Sequence, residues 1–237
     1  MTNYQTVTKK YLDKIERTSK SASLITSTKD LLADFQNFSW PIATEKIIIR
    51  PAQKADLPQV ENIIRNAYNW RYCGRDGALM SAFSETSDSP DAVAFVAVIS
   101  FHGKDLVLAT TRLVRQNLEL FRFFQPADQQ LWPHQQKKLV PYEFERLAFH
   151  PVLDATRDLA MKQLLLEKLV KTAKKTIKEK KYWLGCTMSA NVKKFMDQTQ
   201  VKTTLIPNLV FFKNDYTEFL TNLFPRYFED FSAYEIN

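Results

Sequence analysis

The period of apolar and polar positions changes several times along the chain, and each change marks an element. From Leu139 an apolar stretch that carries charges, LVPYEFERLAFHP, predicts a central strand; it runs through a turn, VLDAT, into a long helix opened by Arg157. In that helix Leu166, Leu169, Val170, Ala173 and Ile177 recur at intervals of three and four, the spacing of one buried stripe. Its other face holds Lys168, Lys171, Lys174, Lys175, Lys178 and Lys181, either as a solvated surface or as a docking patch. Lys46–Arg50 is β-branched and predicts a strand, stopped by Pro51 ahead of a helix starting near Asp56, in which Leu57, Val60, Ile63, Ile64 and Ala67 keep helical spacing. Ala92–Phe101 and Leu106–Val114 predict a hairpin across His102-Gly103-Lys104-Asp105.

Downstream, Tyr182–Met188 predicts a strand and Asn191–Asp197 a short helix. Val201–Lys213 reads as a strand or strand pair around Pro207, and the tail from Phe224 to Ile236 as a final strand after a short helix. Residues 71–90 read as an irregular connection. Residues 116–138 have many aromatics and no clear period, which predicts a loop with one helical turn; its rings either cap the core or line a binding surface. Ahead of all this, residues 1–45 predict two amphipathic helices. The first places Tyr4, Val7, Tyr11, Leu12 and Ile15 on one side; the second places Leu31, Leu32, Phe35 and Phe38 behind a Ser27/Thr28 cap, with Trp40-Pro41 as the end. The expected organisation is a helical extension, 1–45, and one domain, 46–237. Strands and helices alternate, so the class is α/β (α+β), with a mixed, mostly antiparallel central sheet flanked by helices.

Composition narrows the chemistry. Four glycines in 237 residues leave no glycine-rich phosphate loop. Cys73 and Cys186 with His102, His134 and His150 supply neither a disulfide framework nor a metal-ligand spacing, so no metal is expected. The net charge of +7 suits an acidic partner, but without interleaved aromatics or a recognition motif it does not point to nucleic acid. The longest apolar run, Ala92–Ile99, is too short to span a bilayer, and no apolar signal core opens the chain; a cytoplasmic protein is expected.

What remains unusual is the central strand itself. Glu143, Glu145 and Arg146 interrupt a run in which Leu139, Val140, Phe144, Leu147, Ala148 and Phe149 want burial, and desolvated charges are paired, exposed or catalytic. Glu143 and Glu145 alternate with Phe144 and so share a face, where two carboxylates repel and titrate as a coupled pair. Arg146 falls on the other face unless a bulge re-aims it. A salt bridge from Arg112 or Arg146 to these glutamates, with no catalytic role, is the bland alternative. Cys186 reads as packing, and His150 as a local hydrogen-bonder.

This order of elements resembles the GNAT N-acyltransferase superfamily over residues 46 to 213. IIIRPAQKADLPQVENII looks like its first strand and helix, FERLAFHPVLDATRDLAMKQLLLEKLV like its central strand and cofactor helix, and SANVKKFMD like the short helix after its fifth strand. Within it, Thr111-Arg112-Leu113-Val114 and the E-x-x-R of Glu143-Phe144-Glu145-Arg146 resemble motifs of the acyl-homoserine-lactone synthases and N-acyl amino acid synthases; Arg65, Tyr68, Arg71 and Asp76 are only loosely similar to their arginine and aspartate pattern. Two positions depart from the superfamily. Arg157-Asp158-Leu159-Ala160-Met161-Lys162 keeps the arginine of the cofactor segment but neither glycine, and Met196 stands near where many GNAT enzymes place a tyrosine as general acid.

The resemblance implies transfer of an acyl group from a pantetheine thioester to the amine of a small molecule or amino acid. The donor would be acetyl-CoA, another acyl-CoA, or the phosphopantetheine of acyl carrier protein. Glu143, Glu145, Arg112 and Arg146 are the expected catalytic set. The backbone of Leu147, Ala148 and Phe149 would hold the pantetheine arm, in a slot where strands 143–149 and 182–188 part. Arg157, Ala160, Lys162 and Asn191 complete the donor set. The alternative is a catalytically silent GNAT-fold module that binds an acidic partner. Residues 1–45 are open as a lid, a homodimer contact or a docking arm.

Overall fold

The computed structural model describes residues 4–18, 22–36, 42–68, 91–101, 103–115, 118–215, 217–218 and 230–237. The readings at Phe38, Trp40-Pro41, Arg71, Cys73, Asp76, the 71–90 connection, His102 and the helix before the last strand lie outside the described residues. A 7-stranded sheet is built from β1 (Ile47–Pro51), β2 (Ala92–Phe101), β3 (Lys104–Val114), β4 (Val140–Phe149), β5 (Tyr182–Met188), β6 (Thr203–Leu205) and β7 (Ser232–Ile236). Its order is β1-β2-β3-β4-β5-β7-β6, antiparallel at every step except β4 beside β5. The predicted mixed, mostly antiparallel sheet flanked by helices is what forms.

The pleat sends alternate residues of β2 to two different cores. Phe95, Ala97 and Ile99 face one cluster with Leu165, Leu166, Leu169, Val170 and Ala173 of helix α6 (Leu159–Thr176). Val96 and Val98 face another with Val60, Ile63 and Ala67 of helix α3 (Leu57–Tyr68). The two N-terminal helices, α1 (Tyr4–Thr18) and α2 (Ala22–Ala33), share the first core: Tyr4, Leu32 and Phe35 are buried with Phe149 and Val152, and the Phe35 ring lies 4.7 Å from that of His150. The expected Ser27/Thr28 cap is instead mid-helix. Thr28 Oγ1 donates to the Leu24 carbonyl at 2.7 Å and accepts from Asn66 Nδ2 at 2.8 Å, tying α2 to α3.

Three expectations are corrected by local chemistry. VLDAT is not a turn but part of helix α5 (Pro151–Ala155), because Pro151 is pre-set for the first helical position and His150 Nδ1 caps it by accepting from the Val152 N–H at 3.1 Å. The long helix therefore starts at Leu159, and Arg157 occupies the link with φ 55°. Residues 118–138 hold 3-10 turns at Glu119–Phe123 and Pro126–Leu131 and helix α4 (Pro133–Lys137); period-three turns interrupted by proline leave no 3.6-residue signal to read. Leu118, Leu120, Phe123, Phe124 and Trp132 are buried against Trp183, Ile206 and Phe231, so these side chains cap the core. Around Pro207 only β6 forms as a strand, and Phe211 meets Phe124 in a single bridge. Among the described residues no helix is long and apolar enough to cross a membrane.

Candidate active site

The site begins with a bulge. Arg112 pairs with Glu145 and Thr110 with Ala148, so the single residue Thr111 on β3 faces two on β4, Arg146 and Leu147. Arg146 takes φ 55°, an uncommon and strained conformation for a residue with a side chain, and Thr111 Oγ1 donates to the Glu145 carbonyl at 2.9 Å inside the distortion. Alternation along β4 is thereby broken. Arg146, placed by simple alternation on the far face, is turned to meet Glu119 Oε2 at 2.7 Å.

Three carboxylates and two guanidiniums gather here. Arg112 forms a buried ion pair with Glu145 through Nε and Nη2, the contact that the salt-bridge alternative names. Glu145 Oε2, however, is buried with no hydrogen-bond partner among the described residues. Glu143, 2% exposed, makes no ion pair among the described residues; its Oε2 accepts from the Leu120 N–H at 3.0 Å. Burial first, and then the charges of Glu145 and Glu119, push Glu143 well above the usual carboxylate range against the pull of Leu120 N–H and Arg146. Burial also raises Glu145, opposed by Arg146 and Arg112. Of these three acids Glu143 is the one without an ion-paired guanidinium among the described residues, and burial favours its neutral form.

Directly beyond Glu143 the sheet opens. Among the described residues β4 and β5 pair only from Val140–Tyr182 to Glu143–Gly185, while β5 from Gly185 to Met188 pairs with β7 along its other edge. Among the described residues, the edge of β4 from Phe144 to Phe149 thus has no strand on its β5 side, and the expected parting is present. Phe149 meets Phe195 of helix α7 (Ala190–Met196) edge-on at 5.8 Å below this gap. A pantetheine arm, whose amides pair readily with strand backbone, fits such an edge.

The amino end of α6 suits a pyrophosphate less well. Asp158 caps the helix by accepting from the Met161 N–H at 2.9 Å, which puts a carboxylate where a phosphate would want the dipole. Lys162 is buried in an ion pair with Asp154, its Nζ 5.6 Å from the Phe149 ring centre. Arg157, Ala160 and Asn191 are exposed, and Arg157 is the freely presented cation of the expected donor set. Met196 is 3% exposed and belongs to the core, so it brings no acid group. Cys186 is buried and its thiol is pushed up by desolvation, which makes it inert packing. His150 is held neutral, lowered to about 3 by burial. Tyr68 closes α3.

Two contributors escaped sequence reasoning. Glu119 and the Leu120 amide belong to no motif and reach the site only through the fold of residues 118–138. The tightness of this corner is testable at Gly185, whose missing Cβ makes room for the Trp183 indole. Trp183 is 1% exposed and packed against Trp132 and His134 at 5.7 and 5.2 Å. In an open strand, alanine for glycine would stabilise; here Gly185→Ala is expected to cost about 1–3 kcal/mol in urea unfolding, because the indole must move.

No protein-family model matches the sequence, and no curated protein matches it. Among solved structures the chain is similar to FeeM, an N-acyl amino acid synthase from uncultured soil microbes, at 14% identity over 80% of this chain and 89% of that one, with a TM-score of 0.48. It is also similar to a GCN5-related N-acetyltransferase from Kribbella flavida, at 12% identity over 82% and 97%, with a TM-score of 0.45. A third is MesI, a CoA-dependent acyl-homoserine lactone synthase, at 15% identity over 80% and 88%, with a TM-score of 0.44. At these identities the likeness is one of strand and helix arrangement and goes no further. The strand order, the single parallel step and the parted edge after Glu143 give this chain a GNAT-like fold.

Proposed function

We propose that the protein is an N-acyltransferase that moves an acyl group from a pantetheine thioester, acyl-CoA or acyl carrier protein, to the amine of a small molecule by direct attack. One observation carries this reading: among the described residues no donor reaches the buried Glu145 Oε2, which stands beside a second carboxyl group held toward its neutral form. A carboxylate oxygen without a hydrogen bond costs free energy unless a ligand completes it, and the acceptor ammonium is a donor of the right charge.

In this reading Glu145 orients the amine, and the ionised form of Glu143, made more basic by burial, takes its proton, directly or through water. The freed nitrogen attacks the thioester carbon. The C–N bond forms, the C–S bond breaks, and the departing thiolate is protonated. Backbone N–H groups of Leu147, Ala148 and Phe149 hold the pantetheine arm and polarise the carbonyl, and Arg157 meets the donor's phosphate. A thioester is already activated, so no covalent nucleophile is required from the protein.

A second reading, a silent binding module for an acidic partner, is favoured by the self-capped α6 and the buried Lys162 together with the lysine face of that helix. Thermal unfolding with acetyl-CoA, a long-chain acyl-CoA and acyl carrier protein separates the two. A thioester at 100 times its Kd should stabilise the fold by about 2.7 kcal/mol, and the same thioester should release free thiol once an acceptor amine is added. Stabilisation by none of the three overturns the enzyme reading. The lysine face and the missing glycines favour the carrier protein as donor; Arg157 serves either.

A further inference from the structure

We propose that Trp183 is a positioning residue for Glu143: its indole, lodged in the space that Gly185 leaves open, is the cover that keeps water from the base. The inference rests on the N-acyltransferase reading and adds to it a residue that no motif names. Along the β4–β5 seam Glu143 is paired with Gly185 and Pro141 with Trp183, so positions 143, 183 and 185 turn the same way out of the sheet. A Cβ at position 185 would collide with Cη2, Cζ2 and Cζ3 of the indole, so the outer edge of the ring occupies the place of the missing side chain. Paired strands run about 4.8 Å apart, which sets that edge in the row next to Glu143. Other rings pin it there. Trp132 and His134 meet the indole at 5.7 and 5.2 Å, and Phe121 stacks on it at 6.4 Å with 10° between the planes. Phe121 directly follows Leu120, whose N–H donates to Glu143. One turn therefore supplies both the hydrogen bond to the carboxyl group and a clamp on its cover.

The charged and titratable groups facing Glu143 are Glu145 and Arg146 from β4, Arg112 from β3 through Glu145, Glu119 from the turn and Cys186 from β5. His134, against the indole, is held toward its neutral form by burial. Trp183 and Gly185 carry no charge, so substitutions there leave every one of these groups in the chain and act through the access of water. Burial is first among the causes that raise Glu143, ahead of its charged neighbours. With the indole displaced, water reaches the carboxyl group, the ionised form is solvated, and Glu143 gives up its proton at lower pH. A base that ionises too readily accepts a proton from the amine less well, so the cover keeps Glu143 basic enough to work.

The test reads Glu143 itself. In the whole chain with 13C-labelled glutamate carboxyl groups, the Glu143 signal is identified by its loss in Glu143→Gln, and its titration midpoint is followed by NMR. Trp183→Ala, which removes the cover, and Gly185→Ala, which drives it from its place, should each lower the midpoint by about one pH unit and carry the acidic limb of kcat/KM with it. Leu166→Ala, a truncation in the core shared with α6, should leave the midpoint where it is. An indole that served packing alone would move neither the midpoint nor the limb. Trp183→Ala decides the matter, and if it does not fold, Gly185→Ala does. A midpoint unmoved in the deciding variant, or moved as far in Leu166→Ala, overturns the inference and leaves the acyltransferase reading intact. Full turnover by Glu143→Gln overturns that reading instead, whatever the midpoints do.

Discussion

Glu143→Gln is expected to lower turnover of an acyl thioester with its amine by about 10²- to 10⁴-fold, the range for loss of a general base. The same substitution is expected to stabilise the fold. Glu143 is raised by burial, so its proton is held more tightly folded than unfolded. The stability this supplies is fully present below the unfolded carboxylate value and is lost as pH rises through the raised folded value. Glutamine has no such proton to lose. The gap in stability between variant and parent should therefore widen as pH increases from the ordinary carboxylate range upward, in urea unfolding at a series of pH values. A variant that is inactive and no more stable at high pH would mean that Glu143 is solvated and not poised.

Arg112→Ala should have the largest effect on stability. Arg112 is 8% exposed and supplies two contacts to Glu145, whose other oxygen has no partner among the described residues. Removing it leaves a desolvated carboxylate without its counter-charge, which costs about 3–5 kcal/mol, a large share of the roughly 5–15 kcal/mol that holds a domain together. The double variant Arg112→Met with Glu145→Met should recover much of that loss, because no charge is left buried. Urea midpoints at constant slope measure both. A loss below about 1 kcal/mol for Arg112→Ala would show the pair to be open to water in solution.

The strands were legible because their patterns are local: KIIIR, the alternation through Ala92–Phe101 and the acid-bearing run at 139–149 each announce a strand from a few neighbouring residues. Glu143 and Glu145 were legible for the same reason, as charges standing where sequence wants core. Their partners were not. That Arg112 reaches Glu145 depends on the β3–β4 register, a long-range fact, and the turning of Arg146 toward Glu119 depends on a bulge with no glycine to mark it. Helix α5 did leave a sign, proline at its first position after a capping histidine, but five residues are too few to set up a period. Glu119 left none, since its role exists only once residues 118–138 have folded over the sheet.

The gap between β4 and β5 also has a mechanical side. Within the sheet, two blades, β1–β4 and β5–β7, are stitched together only along the seam from Val140–Tyr182 to Glu143–Gly185. A twist of one blade about that seam would widen or narrow the mouth at Phe149 without breaking the pairing inside either blade. If the proposed function holds, a donor arm lodged in the mouth would act as a further rung, coupling the blades along more of their length.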